Sequence, residues 1–372
     1  MKKTTSLLLA LLLCISLVAC GSAKESDNSN STVTTAVTEG GSQAETTEET
    51  EGDSQAETTE ETTKSDSSVE STDTESTGKV DSPTEATVRP LLYKVTDEDG
   101  SVVWLFGSIH VGKESYYPLP NYVIDAYESS DSLAVEFDLK EFSEDLAAQT
   151  KAMSILIDHK NKINLKINEE TYNKAVNILK DNGIYSPLFD LYMPIMWSSL
   201  IDSLLYEKMG VRSDLGIDTN MIDLAYEDEK TVIGIESAEF QYTLLAGFSN
   251  ELQEKLLEDS VKTYEGYTNG DPEVIEAFNS LVSAWEAGDE AAFEQVLHED
   301  YEFESKEEEL LYAEYKKAFL TDRNLSMTDF AEDALESNDE VFICVGAAHV
   351  VGEGAMADLL AERGYSVELI NE

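Results

Sequence analysis

Apolar and polar positions alternate over short runs between residues 89 and 372, and these runs predict β-strands. Leu91–Val95 and Val102–Phe106 flank Asp99 and Gly100, a dipeptide that favours the tight turn of a β-hairpin. The other predicted strands are Ser132–Asp138, Thr231–Ile235, Val341–Val345 and Ser366–Ile370. Most of these runs are rich in β-branched or aromatic residues, which favour strands.

Between these strands the apolar residues follow a helical period. Pro118–Ser129 predicts a short helix, and the segment from Phe142 to about Tyr226 predicts a large helical insertion. Further helices are predicted at Leu215–Tyr226, at Phe240–Phe248 and through the charged segment from residue 251 to residue 337. The aromatic and methionine-rich stretch at residues 185–206 has the spacing of core helices.

The end of the chain predicts a β-α-β unit. Strand Val341–Val345 precedes helix Gly352–Arg363, which Gly364 closes, and strand Ser366–Ile370 follows. The two strands should be parallel with a right-handed crossover. The whole pattern predicts a mixed α/β (α+β) fold, in which helices pack on a central mixed sheet and a large helical insertion interrupts it. Residues 89–372 suffice for a full core.

Residues 1–19 have the pattern of a secretion signal. Lys2 and Lys3 precede the apolar run Leu7–Val18, which is short for a membrane span. The sequence Leu-Val-Ala-Cys at residues 17–20 resembles the bacterial lipobox, which implies cleavage before Cys20, lipidation of its thiol and a lipid anchor in the membrane. The alternative is an ordinary signal peptide with an incidental cysteine.

Residues 20–88 predict a disordered acidic linker. They consist mainly of Ser, Thr, Glu, Asp and Gly, which bury too little apolar surface to offset the entropy of ordering, and residues 42–50 recur as residues 54–62. The chain has 76 acidic and 25 basic residues, a formal net charge of −51, which argues against a nucleic-acid partner. A spacer is the favoured interpretation, and an acidic partner-binding tail is the alternative.

Two strand runs end in the same motif, Gly-x-x-His. The first lies in Leu105–Gly112 and contains His110, and the second lies in Val345–Gly352 and contains His349. A histidine just beyond the carboxyl end of a strand lies where ligand crevices form in open α/β sheets. The other two histidines, His159 and His298, have ordinary charged surroundings. The two motifs therefore mark the candidate chemistry.

Two histidines and a carboxylate are compatible with a metal site, an acid–base pair or a haem pocket. Each motif alone is also compatible with a structural histidine at a strand end. Cys344, in the strand before the second motif, is interpreted as a buried core residue, and no disulfide framework is expected in the mature domain.

The motifs resemble those of the TraB/PrgY/GumN family, which includes the TIKI proteins and is more distantly similar to erythromycin esterases and haem-binding ChaN proteins. The matching segments are Trp104–Gly112, Leu133–Phe137, Gly216–Asp218, Gly234–Glu236 with Gln241, Arg323–Met327 and Val345–Gly352.

The resemblance implies a cleft at which both motif histidines meet a strand glutamate. His110 and His349 would be metal ligands, Glu136 a ligand or the general base, and Arg323 a donor to an oxyanion or a substrate carboxylate. The implied cofactor is a divalent metal, Mn, Co or Zn. Asp218 is expected to cap a helix, and Glu236 to be a buried hydrogen-bonding carboxylate. A place in the site is the alternative for either residue.

Three functional hypotheses follow, and the first two rest on what the resemblance implies: the TIKI proteins are described as metal-dependent peptidases, PrgY-like proteins are associated with limiting peptide pheromone activity, and ChaN proteins bind haem. The first is an extracytoplasmic lipoprotein, anchored at a bacterial cell surface of Gram-positive type, that hydrolyses peptides with a metal. The second is a non-catalytic lipoprotein that sequesters haem or a peptide pheromone, with an apolar surface formed by Tyr192, Met193, Met196 and Trp197. The third is an envelope-structural lipoprotein whose histidines stabilise strand ends. In the first two hypotheses, the substrate or ligand is a peptide or a small molecule.

Overall fold

The computed structural model describes residues 85–297, 303 and 305–371 of the 372-residue chain. The predicted signal, Cys20 and most of the predicted linker lie outside the described residues, as does His298. The structure therefore bears on the domain that begins near residue 89.

A six-stranded mixed sheet forms the centre of this domain. Its strands follow the spatial order β4-β3-β5-β2-β1-β6. They are β1 (Leu92–Thr96), β2 (Val102–Ser108), β3 (Ser132–Val135), β4 (Thr231–Gly234), β5 (Val341–Gly346) and β6 (Ser366–Ile370). The four strands β4, β3, β5 and β2 are parallel to one another, whereas β1 is antiparallel to both β2 and β6. The predicted mixed α/β fold is confirmed.

The predicted hairpin and the predicted final strand both form, but the final strand has an unexpected neighbour. β1 and β2 pair from Leu92↔Phe106 to Thr96↔Val102. β6 runs in the same direction as β5, as a β-α-β unit requires, yet it pairs with β1. The reason is that β3 and β2 already occupy both edges of β5, so the outer strand of the hairpin offers the open edge.

Helices cover both faces of the sheet, and all six residues of β5 are buried, as expected for a central parallel strand. Cys344 of β5 is a free, buried cysteine, as predicted. The helices are α1 (Asn121–Glu128), α2 (Leu139–Glu144), α3 (Leu146–Ile155), α4 (Glu169–Asp181), α5 (Pro194–Lys208), α6 (Ile217–Glu227), α7 (Ala238–Ala246), α8 (Asn250–Thr268), α9 (Pro272–Ala287), α10 (Glu290–Leu297), α11 (Lys306–Lys316), α12 (Asp322–Ser337), α13 (Ala347–Val350) and α14 (Met356–Glu362).

Helices α2 to α6 form the insertion between β3 and β4, and part of it has a hydrophobic core of its own. Trp197 and Ile201 of α5 pack there with Leu257 of α8. Trp197 is fully buried and Met196 is 9% exposed, so these two residues do not form the predicted apolar surface, whereas Tyr192 and Met193 are half-buried. The side chains of Trp197 and Met196 fill cores instead.

Several predicted boundaries are wrong for identifiable reasons. The strand predicted over Ser132–Asp138 ends at Val135, because Asp138 instead caps α2 by accepting backbone hydrogen bonds from Lys140 and Glu141. The helix predicted from Gly352 begins at Met356, because Gly352 and Gly354 have positive φ and form a turn. Both errors fall where a strand or helix gives way to a loop beside the sheet.

Within the described part of the chain, every helix is too short or too polar to cross a bilayer.

Candidate functional site

The parallel strands end together and bring the predicted site residues to one edge of the sheet. Gly107 and Ser108 of β2 pair with Val345 and Gly346 of β5, so the two Gly-x-x-His motifs leave adjacent strands one residue out of register. On the other side of β5, Val135 pairs with Cys344. Glu136 therefore follows β3 at the same level, at the edge where parallel α/β sheets bind ligands.

Glycines in and near the first motif permit close backbone approaches. A Cβ atom on Gly112 would lie 1.8 Å from the carbonyl oxygen of Leu215, and one on Gly216 would lie 2.7 Å from that of His110. The N–H of Gly112 donates to the carbonyl of Arg212 over 2.8 Å, and the reverse bond is 2.9 Å. These contacts hold the loop before α6 against the His110 segment.

His110 is buried and is held by Asp218 in the first turn of α6. Its Nδ1–H donates to Asp218 Oδ2 over 2.9 Å, and its Nε2 lies 3.8 Å from Glu136 Oε1. Burial opposes a charge on this ring, but the Asp218 and Glu136 carboxylates outweigh burial and raise the pKa of His110 to about 9.

His349 lies in α13 and is fully buried. Its Nδ1 is 2.7 Å from Asn324 Oδ1, and the Asn324 amide nitrogen donates to the carbonyl of Gly354 over 2.9 Å. Because the Asn324 nitrogen serves that carbonyl, its oxygen faces His349, so Nδ1 carries the ring proton and Nε2 the lone pair. Burial and then the charge of Arg323 lower the pKa of His349 to about 3.

Glu136 is buried and accepts hydrogen bonds at both oxygens. Oε1 accepts from the N–H of Gly346 over 3.0 Å, and Oε2 accepts from Arg323 over 2.7 Å and from Gln241 over 2.9 Å. Burial alone raises the pKa of a carboxyl group, but Arg323, His110 and other donors outweigh it and lower the pKa of Glu136 to about 2. Glu136 is thus ionised at neutral pH.

Arg323 joins Glu136 to a second buried carboxylate. Its Nε donates to Glu236 Oε1 and a terminal nitrogen donates to Glu236 Oε2, both over 2.8 Å, so the prediction of a buried hydrogen-bonding Glu236 is confirmed. A π-helical turn, Lys317–Thr321, precedes Arg323 and places the Phe319 ring 5.1 Å from the guanidinium carbon. Such turns are frequent at functional sites. The two carboxylates and the ring fix the orientation of this arginine.

A narrow cavity of about 10 Å³ lies between His110, Glu136 and Asp218. This volume is close to the minimum that holds one water molecule. Its remaining walls are Ser108, Val135, Phe137, Leu139, Ile222, Cys344 and Val345. A larger surface pocket of about 480 Å³ lies at α9, and none of the predicted site residues lines it.

The donor chemistry of the cluster fits a divalent metal in kind. Each imidazole donates its Nδ1–H to an oxygen, the arrangement that orients metal-binding histidines, and Glu136 supplies an ionised carboxylate. Among residues 85–297, 303 and 305–371, however, no three His, Cys, Asp or Glu side chains are grouped as a metal site. Binding as predicted at His110, His349 and Glu136 therefore requires these side chains to move closer together.

The structure brings the four predicted site residues, His110, Glu136, Arg323 and His349, into one buried cluster. The predicted cap role of Asp218 is wrong, because Gly216 is the N-cap residue of α6 and the Asp218 side chain contacts His110. The sequence marks Asn324 only as part of the Arg323–Met327 segment and gives no signal that its side chain is the partner of His349. The exposed His159 lies outside the cluster.

Fold and site together define an α/β protein with paired Gly-x-x-His histidines at the carboxyl edge of a parallel sheet. The profile described as the TraB/PrgY/gumN family matches residues 91–369, and the chain belongs to this family.

The chain is 29% identical to the uncharacterized protein YbaP of Escherichia coli (strain K12) over 141 residues, 38% of this chain and 50% of that protein. The Shigella flexneri protein of the same name gives the same values. The chain thus spans about half the length of the curated relatives it matches. No solved structure was found to match it.

Proposed function

We propose that this protein is a metal-dependent hydrolase, with the active site at the cluster of His110, His349, Glu136 and Arg323. The observation that carries the proposal is the pair of buried imidazoles, each anchored through Nδ1 by a different side chain, beside an ionised glutamate. Burying polar groups of this kind costs free energy of folding, and buried groups with shifted pKa values cluster at functional sites.

The charges of the cluster support a divalent cation. Among the described residues, the cluster holds three buried carboxylates, those of Asp218, Glu136 and Glu236, and one guanidinium. With His110 protonated, as its pKa of about 9 indicates, one negative charge remains; a metal on the His110 ring would displace that proton and leave two negative charges for the cation to compensate. A divalent cation compensates this excess in a region where unbalanced charge is expensive.

The residues have distinct roles in this proposal. His110 and His349 would hold the metal through Nε2, while Asp218 and Asn324 keep the rings in the required tautomer and orientation. A bound metal would lower the pKa of a water molecule and polarise the scissile carbonyl. Glu136 suits a ligand better than a general base, because its pKa of about 2 is far from neutral pH.

A peptide is the proposed substrate, which rests on the likeness to the TIKI proteins. The cavity beside His110 admits about one water molecule, so a scissile bond reaches the cluster only when side chains that line the cavity, such as Phe137 and Leu139, move aside. We therefore expect substrate binding to include a conformational step.

Peptide hydrolysis by the purified chain with Mn, Co or Zn tests the proposal. We expect turnover that is lost in His110→Ala and in His349→Gln, and retained in the matched control His159→Ala, whose side chain is exposed. Circular dichroism confirms that each variant is folded. Equal turnover in all three variants, or turnover unaffected by chelators, would contradict a metal centre at this cluster.

We also propose that Cys20 anchors the protein to the extracytoplasmic face of the membrane, at a Gram-positive cell surface. The support is the lipobox-like sequence at residues 17–20 after the apolar run Leu7–Val18. Intact-mass measurement of the protein from its native membrane should show acyl chains on the wild type and none on Cys20→Ser. An unmodified wild-type chain would contradict the anchor.

A further inference from the structure

Three exposed leucines project from two adjacent 3₁₀ turns of the helical insertion. Leu165 ends the turn Ile163–Leu165 and is 74% exposed, and Leu188 and Leu191 belong to the turn Pro187–Leu191 and are 70% and 37% exposed. We call these three residues the leucine ridge. Single exposed leucines are common, but a group of them on neighbouring turns is typical of an interaction surface.

Buried contacts hold the two turns of the leucine ridge in place. The N–H of Asp158 donates to the carbonyl of Leu191 over 2.8 Å. The hydroxyls of Tyr172 and Tyr185 both donate to the buried Asp190, over 3.1 and 3.3 Å, and Trp197 donates to the carbonyl of Phe189 over 2.9 Å. The leucines are therefore exposed on a supported scaffold, and no rearrangement is needed to present them.

Lysines border the leucine ridge in a chain that is otherwise strongly acidic. Lys160, Lys162 and Lys166 lie within seven residues that contain no Asp or Glu, whereas the chain has a net charge of −51. Lys166 forms an ion pair with Asp158 and its side chain is only 17% exposed, so Lys160 and Lys162 are the lysines available at the surface. Lys160 is exposed, and Lys162 is 53% exposed, with its ammonium 3.4 Å from the largely buried carboxylate of Asp190. Lysines beside protruding apolar side chains suit an interface between hydrocarbon and anionic headgroups.

We propose that the leucine ridge, together with Lys160 and Lys162, docks the domain on an anionic lipid bilayer. This inference rests on the membrane anchor proposed at Cys20. The occupant is a bilayer because the proposed anchor at Cys20 lies in the membrane, and roughly 65 residues, from Cys20 to residue 84, join it to the described domain. A random-coil chain of that length spans about 45 Å on average, so an anchor at Cys20 leaves the same membrane within reach of the domain.

Because the proposed anchor tethers the domain to the membrane, a surface that binds lipid only weakly is sufficient for docking. Tethering converts docking into an intramolecular event with a high effective concentration, so three leucines together with Lys160 and Lys162 can hold the domain against the membrane. The lysines add attraction to anionic lipids, which falls away with added salt. Docking would give the domain a fixed orientation relative to the membrane.

Tryptophan substitutions in the full lipidated chain test the proposal directly. Leu165→Trp and Leu188→Trp are compared with Leu146→Trp, whose parent leucine is 75% exposed on α3 and outside the ridge. Each variant is reconstituted in phosphatidylcholine vesicles that contain phosphatidylglycerol and brominated acyl chains. We expect a blue shift and a loss of fluorescence for the added tryptophan at both ridge positions, and neither change at position 146.

The companion variant Lys160→Glu/Lys162→Glu, in the Leu188→Trp background, should reduce the loss of fluorescence. Flotation of the vesicles separates the two proposals. If the chain floats with the vesicles but the ridge tryptophans are no more quenched than the tryptophan of Leu146→Trp, the docking surface is overturned and the anchor stands. A chain that does not float overturns both. Self-association with unquenched tryptophans would assign the ridge to a second copy of the chain and also overturn the proposal.

Discussion

Replacing Arg323 with methionine tests how strongly the buried carboxylates depend on their guanidinium. The side chains of Arg323, Glu136 and Glu236 are 1%, 8% and 5% exposed, so Arg323→Met leaves two buried charges without their partner. Removing one member of a buried ion pair costs about 3–5 kcal/mol of the free energy of unfolding.

The pKa of Glu136 gives a second measure of the same loss. It is lowered from 4.5 to about 2 in the folded protein. At about 1.4 kcal/mol for each pKa unit, this shift corresponds to roughly 3 kcal/mol of stability at neutral pH, to which Arg323 is a leading contributor. Because the folded-state pKa is lowered, this stability is present above pH 4.5 and is lost as the pH falls towards 2.

Urea unfolding of the wild type and of Arg323→Met at pH 7 and at pH 4 measures the effect. We expect a loss of about 3–5 kcal/mol at pH 7 that becomes smaller at pH 4, as the orphaned carboxylates take up protons. Arg363→Met is the matched control, because Arg363 bridges Asp329 and Glu332 at the surface and such pairs contribute about 0–1 kcal/mol. The reasoning would be refuted if, at both pH 7 and pH 4, Arg323→Met lost no more free energy of unfolding than Arg363→Met.

Three further predictions concern single residues. Gly112→Ala should lower the free energy of unfolding by at least about 1–3 kcal/mol in urea unfolding, since its Cβ would meet the Leu215 carbonyl at 1.8 Å; unchanged stability would contradict that contact. Asn324→Leu should reduce metal affinity or turnover by about 10–100-fold, because His349 loses its acceptor, and wild-type values in calorimetry and kinetics would exclude that role. Burial raises the pKa of Asp202, so the contribution of this residue to stability falls as the pH rises above about 4. The free energy of unfolding of Asp202→Asn should therefore rise relative to that of the wild type by up to about 1.4 kcal/mol per pH unit. A difference in the free energy of unfolding that does not change with pH would be inconsistent with a neutral Asp202.

The sequence predicts the strands well because their signals are local. Runs such as Val341–Val345 combine β-branched residues with a glycine at the end. The strand in the structure begins at the same residue and extends one residue further, to Gly346. The pairing of β6 with β1 is not local, because it depends on which sheet edges other strands have already filled. Sequence patterns therefore predict that β6 is a strand and which direction it takes, but they do not predict which strand it pairs with.

The same division applies to the site. His110 and His349 were recognisable because a repeated motif places each of them directly after a strand. Their partners carry no such signal. Asp218 lies 108 positions after His110, on the last helix of the long insertion, and its contact depends on how that helix packs against the sheet. An aspartate in the first turn of a helix has the pattern of a cap, and only the tertiary structure shows that its carboxylate contacts the imidazole.

The most direct test of the proposed centre is the metal content of the purified full chain, measured by plasma mass spectrometry beside His110→Ala/His349→Ala and the control His159→Ala. The account predicts about one Mn, Co or Zn ion per chain in the wild type and the control, and none in the folded double variant. Equal metal content in all three proteins, or no metal in the wild type after dialysis against each ion, would contradict a metal centre built from these two histidines.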